Sequence, residues 1–514
     1  MMPDLRNTVL NKIGFDNEKY LSEQTAEILR RAEQNGNKLY LEFGGKLMRD
    51  MHAARVLPGY DPNVKMRLLQ QLQDKAEIIM CIYAGDIERK KIRADFGTTY
   101  DSETLKLIDD LRDWGLLVRA VVITRYTGQH MAKQFRARLE QRNIKVACHS
   151  LTQGYPNDVD MIVSEEGYGA AEFIETERPI VVVTGPGPGS GKLATCLSQL
   201  FHEWQHGRVA GYAKFETFPV WNLPLEHPVN VAYEAATIDL KDLNMVDPLH
   251  LQAYNKVAIN YNRDVEAFPL LSAIWEKMTK EPCPYRSPTD MGVNRIGFGI
   301  IDDQVVCNAA KQEVIRRYFR HLCEYRSGQT EQDTVDRLET LMRKLKIVPE
   351  DRPVVKPARL AGKEAMEKGK GCNGIFCGAA IQLKDGSIVV GKNSETMHAA
   401  ASVVLNAIKE LAGIPDKIPL IAPQVVQSIV HMKHDILRSK YTSLNLDEAL
   451  IGLAISCATN PAAQLAMEKL IDLRNCEMHM THIATAGDEA GMRRVGLLCT
   501  SDPLFASSDL FVDA

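Results

Sequence analysis

The sequence lacks any run of about 18 apolar residues, the length that a membrane-spanning helix requires. Residues 1–17 carry early charges at Asp4, Arg6 and Lys12, so the apolar core of a signal peptide is missing as well. We therefore expect a cytoplasmic protein with no membrane partner. The formal net charge is only -4, and no basic field indicates a nucleic-acid partner. A small molecule is the expected ligand.

A disulfide framework and internal repeats are also missing. The 11 cysteines are scattered, and Cys81, Cys148, Cys457 and Cys499 lie inside apolar runs. This pattern is typical of reduced thiols that pack as small apolar side chains. A chain of 514 residues exceeds one hydrophobic core, so we expect several domains.

The first part of the chain alternates between short apolar runs and amphipathic segments. The apolar runs predict strands, and the segments with apolar residues at helical spacing predict helices. Such alternation is typical of a doubly wound, largely parallel sheet within a mixed α/β fold. The predicted strands are 39–43, 78–83, 116–123, 144–148, 159–163, 180–183 and 209–215, and the predicted helices are 21–35, 102–114 and 127–141.

The pattern changes after residue 215. Residues 216–300 show few long periodic runs, two helices follow at 309–325 and 331–345, and 353–374 reads as a linker or exposed loop. A last α/β domain is predicted from a hairpin (379–383 and 388–390), helices at 396–411, 446–458 and 461–473, and strands at 420–421, 477–485 and 495–500. The predicted domains are 1–230 (α/β), 231–304 (irregular polar segment), 305–350 (helical insert) and 351–514 (C-terminal α/β).

A glycine-rich turn, residues 185–192, is the most informative feature. It follows an apolar strand and precedes an amphipathic helix, which resembles a phosphate-binding loop. Glycines let backbone N–H groups converge on an anion, and the helix N-terminus adds unpaired donors. Lys192 supplies a point charge. The predicted phosphate-binding residues are Gly185, Gly187, Gly189, Ser190, Gly191, Lys192 and Thr195.

The loop departs from the usual nucleotide-binding spacing. Pro186 stands where the first glycine belongs, and Leu193 stands where a magnesium-binding Ser or Thr belongs. Thr195 or Ser190 is the alternative magnesium ligand, although neither is in the usual register. ATP with Mg²⁺ is one ligand the loop predicts, and the phosphate of another metabolite is the alternative. Metal-holding carboxylates would lie at strand ends, where Asp86 and residues 165–166 are candidates; each also reads as a solvated turn residue.

Further polar residues read as a substrate site. Lys214 lies in the strand after the loop's helix, and Arg263, Arg286 and Asp290 lie in segments rich in Asn, Tyr and Thr. Either arginine could hold a phosphate or carboxylate through two hydrogen bonds. Together with Lys192, these four are the predicted catalytic residues; the alternative is that the segments merely satisfy their own backbone.

A short zinc-peptidase pattern is present at 202–206. His202 and His206 would share one face of a helix, with Glu203 as general base. A third ligand is not recognisable, and two surface histidines near a helix C-terminus explain the same pattern. No metal-binding residue is therefore assigned.

Several long motifs resemble a largely bacterial family called domain of unknown function 1846. They lie at 183–192 with 194–200, and at 211–219, 287–292 and 458–461. The resemblance implies an N-terminal α/β part, a helical insert and a C-terminal part similar in fold to cytidine deaminases, and no established reaction. Residues 397–400 open a helix as in deaminases, but Ala400 replaces the catalytic glutamate and no Pro-Cys-x-x-Cys follows. Zinc chemistry is therefore not expected there.

Four functions fit these features. The first is an enzyme that binds a nucleotide, ATP, and transfers a phosphoryl group to a small metabolite or activates it. The second is an isomerase, lyase or transferase that grips its substrate's own phosphate. The third is a ligand-binding regulatory protein, and the fourth is a zinc peptidase. The apolar, helix-rich C-terminal region also predicts a homo-oligomer.

Overall fold

The structure, a computed structural model, describes residues 12–93 and 97–507. These residues divide into two compact units. The N-terminal unit is residues 13–310, and the C-terminal unit contains the described residues from Lys311 onward. The predicted irregular segment 231–304 lies within the N-terminal unit. No helix in the described ranges is long and apolar enough to cross a membrane.

The N-terminal unit combines a parallel sheet with helices. Its strands are β1 (Leu39–Phe43), β2 (Ala76–Tyr83), β3 (Ile92–Arg93), β4 (Thr98–Thr99), β5 (Leu117–Thr124), β6 (Val146–His149), β7 (Ile180–Thr184), β8 (Gly211–Phe215), β9 (Asn244–Val246) and β10 (Ile259–Tyr261). Its helices are α1 (Asn17–Gln34), α2 (Met51–Val56), α3 (Val64–Gln71), α4 (Ala84–Glu88), α5 (Tyr100–Asp113), α6 (His130–Glu140), α7 (Val159–Ile162), α8 (Lys192–Gln205), α9 (Pro228–Ala236), α10 (Pro248–Tyr254), α11 (Asn262–Thr279) and α12 (Pro288–Met291); α13 (Asp303–Arg326) contains the division between the units.

The main sheet has six strands in the order β6-β5-β2-β7-β1-β8, and every neighbouring pair is parallel. Its central strands are buried on both faces, which explains their unbroken apolar runs. The prediction of a mixed α/β chain with a parallel sheet is confirmed. After β1 the chain moves past β7 to β2, whereas after β7 it moves past β1 to β8. The carboxyl ends of β1 and β7 therefore mark a topological switch point, where ligands bind in open parallel sheets.

The C-terminal unit has a smaller mixed sheet in the order β12-β11-β13-β14. β11 is antiparallel to both β12 and β13, and β13 is parallel to β14. Its strands are β11 (Gly378–Gln382), β12 (Ile388–Lys392), β13 (Glu477–Met480) and β14 (Leu498–Ser501). Its helices are α14 (Gln332–Leu345), α15 (Val355–Glu367), α16 (Ala399–Ala412), α17 (Pro423–His431), α18 (Leu446–Ser456), α19 (Pro461–Glu468) and α20 (Ala486–Val495). The predicted hairpin is confirmed.

Four sequence predictions about these elements are wrong. Residues 159–163 form helix α7, because the Asp158 carboxylate caps the Met161 N–H at 3.0 Å. The predicted linker at 353–374 contains helix α15, whose small side chains pack closely on β11. Residues 420–421 form no strand. Residues 216–300 are less irregular than expected, since they include the 18-residue helix α11.

Candidate functional site

The glycine-rich loop connects β7 to α8 at the carboxyl edge of the sheet. Gly189 and Gly191 have φ values of +70° and +91°, which favour glycine. A side chain at Gly191 would also meet Thr124 on β5, 2.7 Å from its Cγ2 atom. The Thr124 hydroxyl donates to the Ser190 carbonyl at 2.8 Å and so ties the loop to the sheet. Alternating left-handed residues turn successive N–H groups toward one concave surface.

Those N–H groups have no acceptor in the described part of the chain. Among the described residues, neither Gly187 nor any residue of 189–193 donates a backbone hydrogen bond. The Ser190 hydroxyl is buried and likewise has no hydrogen-bond partner in the described ranges. Buried polar groups are normally paired, so this set of donors fits an anion supplied from outside the chain.

Two cations lie at the loop. Lys192, the first residue of α8, makes no ion pair with any described residue. The Arg125 guanidinium lies over the Tyr83 ring, 3.5 Å from its centroid, and donates to the Gly189 carbonyl. Arg125 therefore holds the loop from the β5 side, while Lys192 remains free to neutralise a bound anion.

A cleft of about 430 Å³ opens beside the loop at the switch point. It is lined by residues 45–49 after β1, by the α5 residues Glu103, Lys106, Leu107 and Asp110, and by Gly185. Lys65, which is fully buried, holds its β1 side by donating to the Lys46 carbonyl at 3.0 Å and to Asp50 at 2.8 Å. Lys65 thus holds the 45–49 turn in place without a ligand.

The residues expected to hold a magnesium ion are not placed for that role. Thr195 is buried, and its hydroxyl accepts a hydrogen bond from Cys81 Sγ at 3.4 Å. Leu193 packs against the core beneath the helix. Asp86 forms ion pairs with Arg89 and Lys91. Residues 165–166 follow helix α7 and therefore do not lie at a strand end.

A second pocket, which we call the Lys214 pocket, surrounds the side chain of Lys214 on β8. The ammonium lies 2.6 Å from both carboxylate oxygens of Asp264, 3.1 Å from Glu216 and 2.5 Å from the Tyr261 hydroxyl. Tyr261 in turn donates to Glu216 at 2.5 Å. Lys214 is the last residue but one of β8, and Glu216 follows that strand. Tyr261 is the last residue of β10, and Asp264 lies in the first turn of α11.

Burial changes the protonation of this cluster. Desolvation lowers the pKa of Lys214, but the charges of Asp264, Glu216 and Glu42 outweigh it and hold that pKa above its usual value. Desolvation raises the pKa of Asp264 to about 6, with Lys214 opposing the shift and Glu216 adding to it. Lys214 is therefore a fixed cation, and Asp264 exchanges its proton near neutral pH.

Residues 44–45, the turn after β1, lie next to both clefts. Gly44 follows β1, and a Cβ atom on it would lie 2.8 Å from Cγ of Glu216 in the Lys214 pocket. The next residue, Gly45, lines the cleft beside the glycine-rich loop. The donors of the loop and the ionised groups of the Lys214 pocket therefore lie on two sides of one turn.

Of the other predicted catalytic residues, only Arg263 contacts this cluster. Its guanidinium lies over the Tyr261 ring, 5.4 Å from the centroid, and pairs with Asp242 at 3.1 Å, while more than half of the side chain is exposed. The Asp290 carboxylate accepts from the backbone N–H of Arg286 at 3.1 Å and from the Tyr254 hydroxyl at 2.7 Å. Neither arginine lines the Lys214 pocket. Catalytic roles for these residues stay predictions.

Sequence reasoning missed Glu216, Tyr261 and Asp264 as site residues. The polar side chains of segment 260–264 predict Arg263 as a substrate-binding residue, whereas Tyr261 and Asp264 of the same segment contact Lys214. Asp264 lies in the first turn of α11, three residues after Tyr261, so the two side chains share one face of the helix start. That spacing was the available signal.

The zinc-peptidase pattern on α8 is engaged otherwise. Nε2 of His202 lies 2.7 Å from the Ala171 carbonyl, and Nδ1 of His206 lies 2.6 Å from the His202 carbonyl. The carboxylate of Glu203 is buried, accepts from Tyr40 at 2.9 Å and pairs with Arg208 at 2.6 Å. Glu203 is thus held by the core and cannot reach a water molecule held by the two histidines.

Within residues 12–93 and 97–507, one other group of side chains has the atoms of a metal site. His227, Asp303 and Cys307 bring one possible ligand atom each within 4.8 Å of one another. Nδ1 of His227, however, accepts the Val229 N–H at 3.2 Å, which leaves the ring proton on Nε2, 3.0 Å from Asp303. A ligating histidine normally donates its second ring N–H, so this arrangement is explained by the cap of α9 alone.

Comparison with known proteins agrees with the motifs. Residues 13–346 match the family model described as domain of unknown function DUF1846, N-terminal, and residues 350–511 match its C-terminal counterpart. The chain is similar to a UPF0371 protein of Clostridium tetani, 56% identical over 97% of this chain and 99% of that protein. It is also similar to a UPF0371 protein of Clostridium botulinum (strain Langeland), 55% identical over 97% of this chain and 99% of the relative. The chain therefore belongs to the DUF1846 family, whose members here carry the name UPF0371 protein.

Proposed function

We propose that this protein is an enzyme that holds the phosphate of a small metabolite in the glycine-rich loop and acts on the rest of that molecule in the Lys214 pocket. The observation that carries the proposal is the set of unpaired backbone N–H groups at residues 189–193, next to the free ammonium of Lys192. Such a set binds a phosphate dianion and has no other partner among the described residues.

The Lys214 pocket supplies the chemical groups. Lys214 stabilises negative charge that develops on a substrate oxygen, and Asp264, whose pKa is raised to about 6 by burial, takes up or returns a proton. Burial also raises the pKa of Tyr261, so its hydroxyl keeps a proton to share with Glu216. This division of roles suits an isomerase, lyase or transferase acting on a phosphorylated substrate.

ATP with Mg²⁺ is the second candidate ligand of the loop. The order of strand, glycine-rich turn, lysine and helix supports it. Leu193 occupies the usual position of the metal-binding hydroxyl, and Thr195 is buried, so only the Ser190 hydroxyl, which precedes the lysine, is left for a metal. The first proposal requires no metal ligand and is therefore favoured.

For the C-terminal unit we propose a deaminase-like module without zinc chemistry. A hairpin, a helix and a parallel strand pair follow in the order expected for that fold. At the start of α16, Nδ1 of His398 lies 2.7 Å from the buried Asp488 carboxylate, which also accepts from Thr485 and from the Leu446 N–H. The position that a metal would need is thus used by an internal hydrogen-bond network. A sensing or oligomerisation role suits such a unit.

Calorimetric titration of the full chain tests the proposed function. Inorganic phosphate should bind the wild type, and Lys192→Ala should weaken it about tenfold because one charge-assisted contact is lost. Lys145→Ala, an exposed lysine just before β6, is the matched control and should bind phosphate as the wild type does.

Three outcomes separate the candidates. Phosphate binding that ignores EDTA supports the first proposal. ATP that binds only with Mg²⁺, while phosphate alone does not bind, favours the nucleotide candidate instead. Equal phosphate affinity in the wild type and Lys192→Ala contradicts both.

A further inference from the structure

We infer that the Lys214 pocket binds a polyhydroxylated, sugar-like group, so that the substrate class is a sugar phosphate. The inference rests on the proposed function, because it assigns the phosphate to the glycine-rich loop. It adds the chemistry of the remainder of the molecule. The pocket is formed by the ends of β8 and β10 and the start of α12.

One wall of the pocket is apolar and rigid. Phe218 is buried and stacks on Tyr233 with ring centroids 5.4 Å apart. Trp221 remains partly exposed, and its indole N–H donates to the Asn294 carbonyl at 2.9 Å, which fixes the ring. Pro219 and Pro288 complete this wall. The partly exposed Trp221 ring beside the prolines offers a surface for the C–H face of a pyranose or furanose.

The opposite wall is polar, and its donors are oriented. The Glu216 N–H donates to Oδ1 of Asn294 at 2.7 Å, which leaves the Asn294 amide NH₂ turned to the pocket without an acceptor among the described residues. Asn260 donates to the Thr289 hydroxyl at 3.3 Å, and Thr289 donates to Asp247 at 2.7 Å. Hydroxyl groups both donate and accept, so they match a wall that offers both kinds of atom.

Charge excludes a second phosphate from this pocket. Glu216 and Asp264 line the pocket beside Lys214, the one cation in its lining, so the lining carries more negative than positive charge. A phosphate would be repelled by the carboxylates, whereas sugar hydroxyls would donate to them. The pocket therefore selects the neutral, hydroxyl-bearing part of the ligand, and the loop selects its phosphate.

The turn at residues 44–45 brings the two clefts next to each other. Glu216 of the Lys214 pocket lies against Gly44, and Gly45 belongs to the cleft of the loop. A sugar phosphate that passes the edge of this turn would have its phosphate in the loop and its hydroxyls beside Lys214 and Asp264, the groups proposed to transfer protons.

Calorimetry with three probes tests the inference: inorganic phosphate, an unphosphorylated hexose and a panel of hexose and pentose phosphates. At least one sugar phosphate should bind about tenfold more tightly than inorganic phosphate, since the sugar adds stacking and hydrogen bonds. Trp221→Ala should remove most of that gain and leave inorganic phosphate unchanged. Trp204→Ala is the matched control, because its indole also donates to a backbone carbonyl but lies near the far end of α8.

A second variant tests the inference in case Trp221→Ala fails to fold. Asn294→Asp keeps the oxygen that accepts from Glu216 but replaces the NH₂ donor, and should weaken the sugar phosphate about fivefold by adding a further carboxylate. If every sugar phosphate binds only as tightly as inorganic phosphate, the inference is overturned while the phosphate site stands. If inorganic phosphate itself fails to bind, the proposed function fails first.

Discussion

The helix starts that meet at Asp488 in the C-terminal unit and the start of α8 in the N-terminal unit are satisfied in opposite ways. In the C-terminal unit, the buried carboxylate of Asp488 receives the Leu446 N–H at 2.8 Å and the Thr485 hydroxyl at 2.9 Å, and it contacts His398 at 2.7 Å. Three helix starts thus converge on an anion that the chain supplies. At the start of α8 in the N-terminal unit, the N–H groups of residues 189–193 have no such anion among the described residues.

This difference separates a structural anion from a functional one. An internal carboxylate satisfies its donors permanently and stabilises the fold. A loop that leaves its donors unpaired gains stability only when a ligand arrives. Asp488 is therefore expected to matter for folding, and the loop for binding.

The largest expected effect comes from removing the internal anion. Asp488→Ala should destabilise the C-terminal unit by about 3 kcal/mol, because several buried donors lose their acceptor at once. Urea unfolding of the full chain measures the shift. Glu489→Ala, an exposed neighbour paired only with Arg493, should change stability by less than about 0.5 kcal/mol. Equal effects of the two variants would break the comparison.

The second prediction tests whether Asp264 of the Lys214 pocket interacts with the glycine-rich loop. The pKa of Asp264 is raised from 3.8 to about 6 by burial, so between these values the folded state holds a proton that the unfolded state has lost. Its contribution to stability should therefore fall by roughly 2 kcal/mol as the pH rises from 4 to 6, with a smaller further loss as the pH passes through the folded-state pKa, and stay constant at higher pH.

Urea unfolding across that pH range, in the wild type and in Asp264→Asn, isolates this contribution. Lys192→Ala should leave the pH dependence unchanged, whereas Lys214→Met should extend it to higher pH, since the ammonium opposes the shift. A change caused by Lys192→Ala would mean that Asp264 is the loop's own anion.

A pair of glycine variants sharpens the contrast at smaller scale. Gly189→Ala and Gly207→Ala both place alanine at positive φ, +70° and +71°, with no atom nearer than 4.0 Å to the new methyl group. Each should cost about 1 kcal/mol of stability. Only Gly189→Ala should also weaken phosphate binding, because its backbone shapes the loop. Loss of phosphate affinity in both variants would point to a general effect of destabilisation.

The smallest expected effect concerns Arg125. Arg125→Lys keeps the positive charge but loses the planar contact with Tyr83, and should weaken phosphate binding about threefold. Arg138→Lys, on an exposed face of α6, should leave the affinity unchanged. A loss of tenfold or more, as expected for Lys192→Ala, would instead place Arg125 directly on the phosphate.

The parallel sheet was predictable because its strands are buried on both faces. Residues 180–183 are an unbroken apolar run, and the neighbouring strands share that character. The errors occurred where local signals were short or small. Helix α15 packs through Ala358, Ala361 and Gly362, so it carries no periodic run of large apolar residues. Its tight contact with Gly378 becomes visible only in three dimensions.

The site was predictable in part. The loop could be found because its glycines, lysine and flanking elements are contiguous. The Lys214 pocket could not, because Lys214 and Asp264 are 50 residues apart and are joined by the fold. Arg263 and Asp264 are adjacent in sequence, and only the orientation of the first turn of α11 decides which of them faces Lys214.

The single turn at residues 44–45 has a consequence for kinetics. Gly44 has no space for a side chain against Glu216, so any displacement of the turn on one side is transmitted to the ionised groups on the other. A ligand truncated to its phosphate would fill the loop without setting those groups, and a ligand lacking phosphate would leave the turn unsupported. Removing either half of the substrate should therefore lower kcat as well as raise KM, since binding energy from one cleft positions the groups in the other.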